Sequence, residues 1–92
     1  MNRLSVIGIG RLGLCFSLTL EEAGYSVVGC DINQSYVDSV NKKTFYSSEP
    51  GVNDKLKRSK NFIATCDLEK TVRHSNNIFV TVASFSEPDG RY

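Results

Sequence analysis

The sequence predicts an α/β fold in which a parallel sheet of about four strands has helices on both faces. Short apolar runs rich in β-branched residues alternate along the chain with longer segments of helical character, and three glycines closely follow the first apolar run. Strands that alternate with helices typically build a parallel sheet, because each helix returns the chain to the start of the next strand. The alternation therefore predicts βαβ units rather than hairpins.

The first predicted unit has two strands and one helix. The run Leu4 to Ile9 is short and apolar, as expected of a buried strand. Leu14 to Ala23 is mostly apolar, which predicts a helix with little exposed surface, and Gly24 is suited to its C-terminal end. Tyr25 to Cys30 predicts the second strand.

The middle of the chain predicts two surface helices separated by a loop. Asn33 to Lys43 has apolar residues at i and i+3 among polar ones, so this helix buries one stripe. Phe45 to Gly51 ends in a Pro-Gly pair, which is typical of a turn. Asp54 to Lys60 predicts a short basic helix anchored by Leu56.

The last part of the chain predicts two more strands around a helix. Asn61 to Thr65 is the third strand, and Asn77 to Val82 is the fourth. Between them, Asp67 is suited to cap a helix that contains Leu68 and Val72 at i and i+4. The residues after the fourth strand form a polar tail.

Right-handed crossovers restrict this order of elements to one half of a Rossmann-like fold. A sheet of that kind normally continues beyond four strands, so we interpret the fold as truncated relative to a full dinucleotide-binding domain. The missing strands would leave an exposed apolar edge around residues 78–82, and such an edge pairs readily with another chain. A homo-oligomer formed through this edge is therefore one expectation.

Length and charge exclude several classes of protein. At 92 residues the chain is one domain or part of one, and we treat residues 1–92 as a single unit. Eleven basic and ten acidic residues leave a net charge of +1 without a basic stripe, which argues against nucleic-acid binding. The apolar runs are far shorter than the ~20 residues that span a bilayer, and the N-terminus lacks the features of a signal peptide.

The cysteine and histidine positions indicate neither a metal site nor a catalytic group. Cys15, Cys30 and Cys66 are far apart and lack metal-ligand spacing, so we expect reduced thiols in a cytoplasmic protein. His74, the only histidine, falls at the end of a predicted helix, where the helix dipole favours an imidazolium. We therefore assign no catalytic residue to this chain.

The segment Gly8-Ile9-Gly10-Arg11-Leu12-Gly13 matches the GxGxxG pattern of dinucleotide-binding loops, and it follows a strand and opens a helix, as that pattern requires. Gly8 makes the turn off the strand, and Gly10 lets a pyrophosphate approach the backbone because it has no Cβ. Gly13 lets the helix pack closely on the strand. The amino end of the helix offers N–H groups and a partial positive charge to the phosphates.

Asp31 ends the second predicted strand, 18 residues after Gly13 and close to the expected spacing of about 20. Its carboxylate can accept hydrogen bonds from both ribose hydroxyls of an adenosine and repels a 2′-phosphate, which neither Ile32 nor Asn33 can hold. NAD is therefore favoured over NADP. The simpler alternative is that the glycines only form a turn and that Asp31 caps a helix.

Arg11 has two interpretations that the sequence leaves open. It lies in the first helical turn beside the expected phosphate site, where it can pair with pyrophosphate or stack on adenine. It can equally be a solvated surface residue. We keep Arg11 and Leu12 with the three glycines and Asp31 as candidate cofactor-binding residues.

These features resemble the N-terminal part of the UDP-glucose/GDP-mannose dehydrogenases, the nucleotide-sugar dehydrogenase family. The resemblance covers nearly all of the chain, and its most family-specific part is the segment Glu49-Pro50-Gly51-Val52. The other matching segments are the glycine loop, Gly24-Tyr25-Ser26-Val27-Val28-Gly29-Cys30-Asp31-Ile32, Val37, Val40-Asn41, Thr65-Cys66-Asp67, Ile78-Phe79-Val80-Thr81-Val82 and Asp89-Gly90.

The resemblance implies an NAD-dependent, two-step oxidation of the C6 alcohol of a UDP-sugar to the uronate, with a sugar nucleotide as partner of the full-length proteins. It assigns Gly8, Gly10, Gly13 and Asp31 to NAD. It also implies that the loop after the fourth strand contacts the cofactor. There Ser84-Phe85 stands where the family has Thr-Pro, and Ser84 keeps the hydroxyl.

Two other families share the first βαβ unit. Regulatory nucleotide-binding domains of potassium transport systems often carry GxGRxG, which Arg11 fits, and the hydroxyacid and 6-phosphogluconate dehydrogenases have a similar start. In the potassium-transport domains the next strand comes sooner, whereas Thr65-Cys66-Asp67 begins 34 residues after Asp31. The intervening segment with Glu-Pro-Gly favours the nucleotide-sugar dehydrogenases.

In that family, the nucleophilic cysteine, its accompanying lysine and most of the sugar-nucleotide site lie beyond position 92. We therefore expect the 92-residue polypeptide alone to show no dehydrogenase turnover. The measurement is the absorbance of reduced nicotinamide during incubation of the pure chain with NAD and UDP-glucose, and sustained NAD reduction would contradict the expectation.

Overall fold

The computed structural model describes residues 2–81, and within them the chain forms a sheet of four parallel strands in the order β3-β2-β1-β4. This arrangement confirms the predicted Rossmann-like sheet. In chain order the elements are β1 (Arg3–Ile7), α1 (Arg11–Glu22), β2 (Ser26–Cys30), α2 (Gln34–Asn41), α3 (Val52–Arg58), β3 (Phe62–Thr65), α4 (Leu68–His74) and β4 (Ile78–Val80).

Helices cover both faces of the sheet, as predicted. Successive side chains of a strand point to opposite faces, and on β1 the Ser5 hydroxyl donates to the Thr71 carbonyl of α4 at 2.7 Å. The next residue, Val6, therefore faces the other way. Its partner on β4, Phe79, faces the same way and packs edge-on against Phe16 of α1, with ring centroids 5.1 Å apart. Thus α1 and α4 lie on opposite faces.

The hydrophobic core lies between the sheet and the face covered by α1, α2 and α3. It confirms the predicted apolar stripe of α2 and the predicted Leu56 anchor of α3. Because α3 begins at Val52 rather than at Asp54, it adds a second buried residue to this core. The core residues are Leu4, Val6, Ile9, Leu14, Leu18, Val27, Val37, Val40, Val52, Leu56 and Ala64.

The largest differences from the predicted boundaries lie at the glycine loop. β1 ends at Ile7, so the buried Ile9 belongs to the loop and not to the strand. α1 begins at Arg11 rather than at Leu14, so Gly13 lies inside the helix instead of before it. The other predicted boundaries agree with the structure to within two residues.

Helix α4 packs on the sheet mainly through Thr71. Asp67 caps the helix as predicted, because its Oδ1 accepts a hydrogen bond from the Lys70 N–H at 3.1 Å. However, Leu68 and Val72 are 54% and 48% exposed, whereas Thr71 is fully buried. The helix has only seven residues and lies over β1 and β2, and the apolar side chains on its flanks stay about half exposed among residues 2–81.

The apolar edge predicted around residues 78–82 is exposed along β4. All three residues of β4, Ile78, Phe79 and Val80, are exposed, and no strand within residues 2–81 pairs with the outer side of β4. Pairing of this edge with a second chain stays a prediction. Val82, the end of that predicted edge, lies outside the described residues.

The opposite edge of the sheet is closed by a side chain. Asn41, the last residue of α2, donates from Nδ2 to the Ala64 carbonyl at 2.8 Å and accepts from the Ala64 N–H at Oδ1 at 2.9 Å. The N–H and carbonyl of the buried Ala64 face away from β2, and the Asn41 carboxamide makes the two hydrogen bonds with them that a neighbouring strand would make. Such groups cost free energy when they lack partners.

We predict that Asn41→Ala destabilises the chain by about 1–2 kcal/mol, because both hydrogen bonds to Ala64 are lost. Urea unfolding followed by circular dichroism measures the change. Asn76→Ala is the matched control, since Asn76 is exposed and its side chain has no hydrogen-bond partner within residues 2–81. Equal stability of the two variants would contradict a structural role for Asn41.

Candidate cofactor-binding site

The glycine loop leaves β1 at Gly8 and enters α1 at Gly10. Gly8 has φ of +92°, which L side chains rarely adopt, and its N–H donates to the Cys30 carbonyl of β2 at 2.8 Å. Gly10 is the buried N-cap residue, and as a glycine it has no side chain with which to cap the amino end of α1. Among residues 2–81, no side chain is hydrogen-bonded as a cap at the start of the helix, so its N–H groups are not taken up by an N-cap side chain, which suits the binding of an anionic group.

Gly13 brings the first turn of α1 against the end of β1. A Cβ placed on Gly13 would lie 1.9 Å from the Gly8 carbonyl oxygen, far closer than any side chain allows. The close packing predicted for this glycine is therefore present, although Gly13 lies within the helix. The loop holds its shape because helix and strand touch through backbone atoms.

Thr81, which follows β4, contacts the same loop and was not predicted to do so. Its N–H donates to the Ile7 carbonyl at 2.8 Å, and its hydroxyl donates to the Gly8 carbonyl. A Cβ on Gly8 would lie 2.4 Å from the Thr81 carbonyl oxygen. The available signal in the sequence was a hydroxyl residue near the carboxyl end of the predicted fourth strand.

Ile9, between the first two glycines, is contacted by both α2 and β2. The Tyr36 hydroxyl of α2 donates to the Ile9 carbonyl at 2.5 Å, and the Tyr36 ring packs edge-on against Phe45. The Ile9 side chain lies over Gly29 of β2, where an added Cβ would come within 2.6 Å of Ile9 Cγ2. Gly29 is therefore required for the loop to lie against the sheet.

Asp31 lies at the same end of the sheet as the glycine loop, because β1 and β2 are parallel neighbours with Ile7 opposite Cys30. It is 7% exposed, and its Oδ1 accepts from the Asn33 N–H at 3.1 Å. Within residues 2–81 no donor contacts its Oδ2. The residue that caps α2 is Asn33, whose Oδ1 accepts from the Tyr36 N–H at 3.1 Å, so Asp31 is not the helix cap that the alternative interpretation requires.

Arg11 and Leu12 begin α1 with exposed side chains. Leu12 is 77% exposed, so its side chain adds nothing to the core. Arg11 has a partner that the sequence did not suggest: its Nε lies 3.7 Å from Glu49 Oε1 in the Glu-Pro-Gly segment. Glu49 follows Arg11 by 38 residues in the sequence, and the structure brings its segment next to the glycine loop.

Three more residues that the sequence singled out are Ser84, His74 and Cys66. Ser84 lies outside the described residues. His74 ends α4 as predicted, and its Nε2 is 3.0 Å from the Ser26 carbonyl oxygen, which is a structural contact. Desolvation, reinforced by nearby acidic groups, raises the pKa of the Cys66 thiol, so this thiol stays protonated at neutral pH.

Two further classes of site are not found in the part of the chain that the structure describes. Within residues 2–81, no group of three or more His, Cys, Asp or Glu side chains is placed to hold a metal ion. Over the same residues, no helix has the length and apolar character that crossing a bilayer requires. Cys15, Cys30 and Cys66 are all free thiols.

Comparisons with known proteins agree with this geometry. The profile of the UDP-glucose/GDP-mannose dehydrogenase family, NAD binding domain, matches residues 2–91. An uncharacterized protein of Methanocaldococcus jannaschii is 36% identical over 89 residues, covering 95% of this chain and 10% of the relative. The UDP-glucose 6-dehydrogenase TuaD of Bacillus subtilis is 30% identical over 87 residues, covering 91% of this chain and 19% of that enzyme.

A solved structure gives the same result. The GDP-mannose dehydrogenase of Pseudomonas aeruginosa, crystallised as a ternary complex, superposes with a TM-score of 0.84 at 27% identity, over 96% of this chain and 21% of that one. Fold and loop thus define a dinucleotide-binding α/β protein. Because the family profile matches nearly its whole length, the chain belongs to the UDP-glucose/GDP-mannose dehydrogenase family and corresponds to its NAD binding domain. It spans between about a tenth and a fifth of the length of these relatives.

We predict that Gly13→Ala destabilises the chain by at least about 1–3 kcal/mol, because the added methyl group overlaps the Gly8 carbonyl oxygen. Thermal and urea unfolding measure the effect. Leu12→Ala, one position earlier on the same helix, removes an exposed side chain and is expected to change stability by less than about 0.5 kcal/mol. If Gly13→Ala were as stable as the Leu12→Ala control, the close contact would not be needed for the fold.

Proposed function

We propose that residues 1–92 form the NAD-binding portion of a nucleotide-sugar dehydrogenase. The observation that supports this most directly is the placement of the glycine loop and the Asp31 carboxylate at the carboxyl ends of adjacent parallel strands. Ligands of open α/β sheets bind outside these ends. The three free thiols also fit a cytoplasmic location, which we propose for the chain.

In this proposal, the backbone of the loop and the first turn of α1 bind the pyrophosphate. Gly10 brings no side chain to the amino end of the helix, and the close packing of Gly13 on the Gly8 carbonyl fixes how the helix follows the strand. A preformed loop lowers the ordering cost of binding. The helix dipole and the backbone N–H groups then favour the negative charge of the phosphates.

Asp31 selects the adenosine ribose. Its Oδ1 is oriented by the Asn33 N–H, so its Oδ2 is positioned to accept a hydrogen bond from a ribose hydroxyl. The next residue, Ile32, is 94% exposed and carries no charge, so nothing at this point compensates a 2′-phosphate. The buried carboxylate would repel that phosphate, so NAD is preferred over NADP.

For the longer protein to which such a portion belongs, we propose the family reaction, the oxidation of a sugar-nucleotide alcohol to a carboxylate. When bound, NAD supplies the hydride acceptor, and the residues of this chain bind and orient it. The relatives named UDP-glucose and GDP-mannose dehydrogenases support this class of substrate. The family match over residues 2–91 favours it over a regulatory module of potassium transport, which none of the comparisons supports.

We predict that the chain binds NAD in isothermal titration, that NADP binds at least about tenfold more weakly, and that Asp31→Ala weakens NAD binding by about tenfold. Loss of one or two hydrogen bonds to a charged acceptor accounts for an effect of that size. Glu69→Ala is the control, because this exposed carboxylate lies on α4 at the opposite face of the sheet. Absence of NAD binding, or equal binding of NADP, would overturn the proposal.

A further inference from the structure

The Glu-Pro-Gly segment places a carboxylate beside the amino end of α1, where the proposed pyrophosphate site lies. Glu49 Oε1 is 3.7 Å from Arg11 Nε, and the two side chains are 41% and 56% exposed. Arg11 is the first residue of α1, directly after Gly10. A positive charge beside the proposed phosphate site is thus already paired with a negative charge of the same chain.

Local hydrogen bonds hold Glu49 in this place. Asn53 of α3 binds both backbone groups of Ser47, accepting from its N–H at 2.8 Å and donating to its carbonyl at 2.7 Å. The Ser47 hydroxyl accepts from the Glu49 N–H at 3.0 Å. The backbone before α3 therefore forms a hydrogen-bonded turn, and this turn places Glu49 within side-chain reach of Arg11.

We propose that Glu49 lowers the affinity of the chain for its dinucleotide by pairing with Arg11, so that a bound pyrophosphate has to replace the carboxylate at the guanidinium. This inference rests on the proposed function, and it adds a determinant of affinity in a segment outside the glycine loop.

The charges of the groups involved support a competition. A guanidinium can bind a phosphate through two parallel hydrogen bonds, whereas at 3.7 Å the Arg11–Glu49 contact is a loose ion pair. A half-exposed pair of this kind is weak and is readily exchanged. The dinucleotide therefore displaces the carboxylate, but some of the attraction between Arg11 and the phosphates is offset by the pair that is lost.

The test is a double-mutant cycle with NAD titrated into the wild-type chain, Glu49→Gln, Arg11→Gln and the double variant. At low salt, Glu49→Gln is expected to bind NAD about two- to fivefold more tightly than the wild type, and the gain is expected to shrink at high salt. In the Arg11→Gln background, Glu49→Gln is expected to give no gain. Unfolding curves confirm that the exposed substitutions leave the fold intact.

Glu22→Gln is the matched control. Glu22 is 50% exposed, pairs with Arg58 at 2.8 Å, and lies at the far end of α1, about 16 Å from Arg11. It changes the net charge equally and is expected to leave NAD binding unchanged. A gain equal to that of Glu49→Gln would assign the effect to net charge and overturn the inference.

The remaining outcomes separate this inference from the proposed function. If the wild type binds NAD and Glu49→Gln binds it no more tightly, the inference fails and the NAD-binding function stands. If Glu49→Gln gains equally with and without Arg11, the carboxylate repels the phosphates directly and pairing with Arg11 is not the cause. If none of the four chains binds NAD, the proposed function and the inference fail together.

Discussion

The contact between Gly13 and the Gly8 carbonyl is the constraint on which the rest of the site depends. It leaves no room for a Cβ, so the first turn of α1 lies directly against the end of β1. Thr81 closes the other side of the same carbonyl. Because Gly13 and Thr81 both contact the Gly8 carbonyl, the path of the loop between β1 and α1 is fixed. The direction of the amino end of α1 relative to Asp31 is fixed with it.

Much of the fold could be predicted because its signals are local. Alternating apolar runs and helices identify the strands, and Asp67 is correctly identified as a helix cap by its position before a helical segment. The burial of α4 could not be predicted in this way. Its apolar residues Leu68 and Val72 stay about half exposed within residues 2–81, whereas the small Thr71 is buried and its carbonyl accepts a hydrogen bond from Ser5 of β1. Which side of a short helix is buried depends on the strand beneath it.

The candidate site divides along the same line. The three glycines and Asp31 lie within one βαβ unit, so their spacing alone indicates their proximity. Tyr36, Glu49 and Thr81 come from later elements, and their contacts with the loop arise only once the sheet order is set. Tyr36 and Thr81 donate hydrogen bonds to carbonyls of the loop, and Glu49 pairs with the charge of Arg11. The spacing of the motif does not predict these contacts, because the three residues lie much further along the sequence than the motif extends.

The two edge strands of the sheet differ in how readily a further strand could pair with them. At β3, the Asn41 carboxamide occupies the outward-facing backbone groups of Ala64, so a further strand cannot pair there without displacing it. At β4, a strand of three exposed apolar residues is paired on one side only within residues 2–81. A further strand would therefore pair more readily beside β4 than beside β3, and the centre of such an enlarged sheet would lie closer to β4. The glycine loop and Thr81 would then lie near the middle of the enlarged sheet, away from its two edge strands.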